Sequence, residues 1–103
     1  MLTIENIDKI KQYAFDVVWT CDNVHETPTG YNFVMERRNV SGKIDDVRKI
    51  TLSRVDIPYM DEKEMCYQLY LDDKKLGHVV TPSFLKEVNN LVNTFTEILG
   101  KIW

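Results

Sequence analysis

The sequence predicts an α+β domain, a four-stranded antiparallel sheet (a meander) flanked by N- and C-terminal helices packed on one of its faces. Three observations lead there. Both ends of the chain carry apolar residues at three- and four-residue steps, the spacing of one helix face. Between them, short runs alternate apolar and polar residues, the grammar of half-buried strands. Clusters of turn formers separate those runs, so the order reads helix, four strands, helix.

Thr3 is placed to cap the first helix, its hydroxyl taking an orphan backbone N–H, and Glu5 suits the positive end of the helix dipole. Ile4, Ile7, Ile10, Ala14, Val17 and Val18 form its apolar face, and the helix is expected to run to about residue 20. A strand pattern competes in its second half, where Phe15, Val17, Trp19 and Cys21 alternate with Asp16, Val18, Thr20 and Asp22. Residues 22–30, "DNVHETPTG", are rich in turn formers and read as a loop. In residues 31–39, Tyr31, Phe33 and Met35 alternate with Asn32, Val34 and Glu36, a strand. "SGK" at 41–43 supplies a turn, with Gly42 free to take positive φ. Residues 47–57 are rich in β-branched side chains and strand-like, and Pro58 stops them because it has no N–H for a ladder. Residues 59–64 connect to the last two strands.

Those strands flank Asp72, Asp73, Lys74 and Lys75. A two- or four-residue loop pairs Leu71 with Leu76, Leu69 with His78 and Tyr67 with Val80, which places all six on the core side. Thr81 and Pro82 then open the C-terminal helix, since proline at the first helical position leaves no N–H unsatisfied. Phe84, Leu85, Val88, Leu91, Val92, Phe95, Ile98, Leu99 and Ile102 make one apolar stripe, so this helix is stable only when docked on the sheet.

A length of 103 residues predicts one domain, and 44% hydrophobic residues can fill one core. The net charge of −3 argues against a general nucleic-acid coat and against a strongly acidic DNA mimic. The start of the chain lacks the basic residues and apolar run of a secretory signal, and no window approaches a membrane span. Cys21 and Cys66 form no Cys-x-x-Cys pair, so free thiols in a reducing cytoplasm are expected. A single alanine and nine lysines against four arginines accompany AT-rich genomes, such as those of low-GC bacteria and their phages.

Candidate chemistry is sparse. His78, on the core side, is expected to be structural, because desolvation disfavours its charged form. Zinc on Cys21, His25, Cys66 and His78 fits no regular ligand spacing, and neither a metal nor a cofactor is expected. The carboxylate pairs at Asp45–Asp46, Asp61–Glu62 and Asp72–Asp73 fall in predicted turns, where aspartate serves the backbone. No glycine pattern suits phosphate binding.

The charge distribution says more. Residues 36–54 carry six cations against Glu36, Asp45 and Asp46, a basic ribbon on an acidic body. Arg37, Arg38, Arg48, Lys49 and Arg54 are therefore the candidate partner-binding residues, with Tyr70 as an aromatic anchor. The face away from the helices is expected to show Cys66, Gln68, Tyr70, Gly77 and Val79, joined by Val34 and Leu52, a surface open to association or homodimerisation. The expectation is a non-enzymatic protein that binds and sterically blocks or modulates a partner protein with an acidic surface. A phage or bacterial accessory protein, inhibitor or immunity-type protein would act this way. Nucleic-acid binding by the same ribbon ranks second, because residues 36–54 contain no aromatic stacking platform. A small-molecule or enzymatic site at His78, with Tyr67 and Cys66 or Cys21, ranks third.

Overall fold

Six antiparallel strands in sequential order make the sheet in the computed structural model, which describes residues 4–12, 14–15, 19–55, 66–81 and 88–100. The elements are α1 (Ile4–Gln12), β1 (Ala14–Phe15), β2 (Trp19–Thr27), β3 (Gly30–Arg38), β4 (Ile44–Arg54), β5 (Tyr67–Leu71), β6 (Lys74–Val80) and α2 (Val88–Gly100). The architecture is α+β, but the sheet has two more strands than the four predicted.

Both additions come from the segment read as helix and loop. α1 ends at Gln12, and Ala14–Phe15 and Trp19–Thr27 are extended. The alternation of Phe15, Trp19 and Cys21 was the truer signal. It was hard to follow past Cys21 because of a bulge: Cys21 pairs with Met35, but Asn23 pairs with Val34. The extra residue, Asp22, flips the parity, so Trp19 and Cys21 face the core and then Val24 does. Polar residues further along β2 are tolerated because that stretch meets solvent, while its backbone pairs with β3 as far as Thr27 and Gly30. Only Pro28 and Thr29 make the turn.

Gly30 is needed where it stands. A Cβ there would run into the carbonyl oxygen of Leu52, with Leu52 C at 2.9 Å and Ser53 Cα at 3.4 Å. The next bond is drawn tight, Arg54 N–H donating to Thr29 O at 2.7 Å. β4 begins at Ile44, three residues earlier than predicted, because its ladder with β3 continues past a bulge at Asp45 to Arg38. The turn beyond is held by Asn39, whose Oδ1 accepts from Ser41 N–H, Ser41 Oγ–H and Lys43 N–H at 2.7–3.1 Å. Gly42 takes φ 85° in it, as its sequence position predicts.

The β5–β6 turn has two residues, Asp72 and Asp73, one position earlier than the two-residue loop predicted. Asp72 and Asp73 take φ 49° and 67°, a left-handed pair suited to a two-residue hairpin turn. Leu71 therefore pairs with Lys74, not with Leu76. The register recovers through a bulge in which residues 76–78 of β6 stand against Leu69 alone, and Tyr67 pairs with Val80 as predicted. Gln68 sits in this bulge, only 6% exposed, and its Nε2 donates to the carbonyls of Leu76 and Leu69. The side chain of His78 lies outside the described residues, as does the 59–64 connector.

One cluster forms the core. Trp19, Cys21, Tyr31, Phe33, Met35, Ile50, Leu52, Leu69 and Val80 from the sheet meet Ile10 of α1 and Leu91, Val92, Phe95, Ile98 and Leu99 of α2. Phe95 packs edge-on to Phe33, ring centroids 4.8 Å apart at 68°. Leu52, read as an outer-face residue, is fully buried here, because it pairs with Tyr31 and Leu69 on the core side. Of the C-terminal stripe, Phe84, Leu85 and Ile102 and the side chain of Val88 lie outside the described residues.

Candidate interaction surface around the β3–β4 turn

The predicted cations do not gather into one patch. Along β4, side chains alternate between faces, so Arg48 and Arg54 lie on the side of buried Ile50 and Leu52, and Lys49 on the other. Arg54 sits at the far end of β4, beside a shallow cleft of about 100 Å³ with Glu26, Thr29, Tyr31 and Tyr67 on its walls. Tyr70 pairs with Thr51 and Lys75 and is half-buried on the outer side, where Thr51 Oγ1–H also donates to Asn32 Oδ1 at 2.9 Å.

Near the turn the cations are answered by carboxylates. Arg37 makes a two-bond fork with Asp45, Nε–Oδ1 at 2.7 Å and Nη2–Oδ2 at 2.9 Å. Arg38 faces Glu36 at 3.6 Å and donates to Gly42 O at 3.2 Å. Arg48 meets Asp46 at 3.2 Å and Asp72 at 3.0 Å, and Lys49 meets Asp73 at 2.9 Å. The hydrogen bond that Arg48 donates to Asp72, more than any other cause, holds the guanidinium pKa above its ordinary value. The β5–β6 turn thus supplies two counter-charges from more than twenty residues away, and the ribbon that reads as basic in sequence is largely neutralised in space.

The pairing also shapes the edge of the sheet. β5 pairs with Ile50–Arg54 only. Asp72 closes the next step, its N–H donating to Lys49 O and its Oδ1 accepting from Lys49 N–H. Residues 44–48 therefore form a sheet margin with no neighbouring strand on that side among the described residues. Bulge and charges blunt it against unspecific pairing. Beside its exposed polar residues, this margin and the adjoining turn expose three apolar ones: Val40 at the turn is fully exposed, Val47 54% and Ile44 44%. Sequence reasoning missed these three, although a valine inside the turn former run "NVSG" was a legible signal, since solvent-facing turns rarely need one.

The nucleophile candidates fare differently. Cys21 is buried, its thiol donating to Asn23 O at 3.6 Å, and desolvation by burial pushes its pKa up to about 12, the opposite of an activated thiolate. Among the described residues no three His, Cys, Asp or Glu side chains stand close enough to hold a metal ion, and no helix is long and apolar enough to cross a membrane. Comparison with protein-family models, with curated proteins and with solved structures finds no match to this chain.

Proposed function

We propose that this chain is a small, non-enzymatic protein-binding domain that docks its β3–β4 turn on another protein and blocks or modulates it sterically. The observation that carries this reading is the exposure of Val40, Ile44 and Val47 beside cations already matched by the chain's own carboxylates. An apolar knob on a braced turn suits an apolar pocket. Asn39 and the Arg37–Asp45 fork hold the turn in shape before binding, so little ordering entropy is lost on docking. Lys43, exposed in the turn, and Arg38, whose 3.6 Å contact with Glu36 leaves its side chain 47% exposed, favour a pocket with an acidic rim. Nucleic-acid binding draws on cations that neutralise phosphates, and most of those near the turn have nearer anions.

The test uses three purified proteins of unchanged thermal stability: wild type, Val40→Asp and Arg54→Ala. Each is coupled to beads and exposed to extract from its native host, with and without nuclease. A protein retained by wild type and by Arg54→Ala but lost with Val40→Asp supports the reading. Retention that is indifferent to Val40→Asp, or that disappears with nuclease, overturns it.

A further inference from the structure

We infer that α1 is a releasable cover, which opens from the sheet as a unit without global unfolding and uncovers the Trp19–Cys21 strip of the core. The helix has nine residues, below the length at which a helix holds in water by itself. Its anchorage is slight. Ile10 is fully buried and Ile7 partly, but Ile4, one turn earlier on the same stripe, is 81% exposed. The apolar face therefore leaves the core within its first turn. α2 shows the contrast, with Leu91, Val92, Phe95, Ile98 and Leu99 all buried.

What lies beneath α1 is the start of β2, the strand it chiefly packs on. Trp19 is fully buried there and Cys21 is 1% exposed. Lys11, in the last turn of α1, is near enough for its charge to act on the Cys21 thiol. A second, independent observation points the same way: the Nε1–H of Trp19 is buried with no acceptor among the described residues. A closed core pays the desolvation cost of that N–H, and opening lets it bond to water, so the unmet donor favours release. Elements with few buried contacts are the ones that open below the global unfolding limit.

Cys21 reports the opening. In a Cys66→Ser background, labelling by iodoacetamide is followed by mass spectrometry across a series of low urea concentrations. The expected rate is well below that of a free thiol, far above the rate that global unfolding allows, and nearly independent of urea. Ile10→Val, which trims the main anchor, raises it about fivefold. Ile50→Val, an equal trim in the centre of the sheet, leaves it unchanged although it lowers global stability. Labelling that follows urea with the full unfolding slope and responds equally to both variants overturns the inference. So does labelling at the free-thiol rate, which shows α1 undocked from the start.

Discussion

Gly30→Ala tests the backbone contact that locks β3 to β4. The added methyl meets the Leu52 carbonyl oxygen and has Leu52 C at 2.9 Å and Ser53 Cα at 3.4 Å. All three are backbone atoms of a paired strand, so no flexible side chain can give way. Relief requires β3 and β4 to part near Tyr31↔Leu52, whose side chains belong to the core. Overpacking of this kind costs about 1–3 kcal/mol, and a contact with backbone on both sides belongs at the upper end. For a domain of this size, about 3 kcal/mol lowers Tm by about 12–24 °C. Gly77→Ala is the internal control: it meets no atom within 4 Å and stands outside the positive-φ region, so it leaves stability unchanged or raises it by up to about 1 kcal/mol. Gly42→Ala falls between, since φ 85° costs a side chain about 1–2 kcal/mol in otherwise open space. Urea denaturation followed by Trp fluorescence measures all three. A Gly30→Ala protein within about 0.5 kcal/mol of Gly77→Ala refutes the close approach.

Three further outcomes follow from the same geometry. The native state keeps the Cys21 proton that the unfolded chain loses above pH 9.0, so stability is whole below that pH and falls as pH rises towards about 12. Wild type should lose about 2–3 kcal/mol more than Cys21→Ala between pH 9 and pH 11 in parallel denaturation curves, and coincident curves count against the buried thiol. Gln68→Ala removes the donor inside the β6 bulge and should cost about 1–3 kcal/mol in chemical denaturation, whereas a neutral result means that water serves the Leu76 carbonyl equally well. Asn39→Ala deletes the acceptor of three turn hydrogen bonds, and faster amide exchange at Ser41 and Lys43 with the core unchanged is the expected signature.

Local signals were legible where local forces decide. Tyr31, Phe33 and Met35 alternate and are buried; Gly42 sits in a turn and takes positive φ; Leu91, Val92, Phe95, Ile98 and Leu99 share a stripe and enter the core. Each depends on neighbours within a few residues. The Cys21–Asn23 bulge shows why β2 was not legible: one unpaired residue reverses the alternation, and nothing nearby in the chain announces it. The charge pairing of the candidate residues was hidden for another reason. Arg48 and Lys49 look unopposed in sequence because Asp72 and Asp73 are more than twenty positions away.

The sequence by itself determined that this chain forms an α+β domain with an antiparallel sheet and a docked C-terminal helix, because side-chain periodicity fixes which face of each segment must leave water. Only the tertiary structure decided how many strands the sheet has, that the charged ribbon is answered by a distant turn, and that Val40, Ile44 and Val47 stay in solvent. Strand pairing and ion pairing join residues far apart in the chain, and no pattern within a single segment records which partner will arrive.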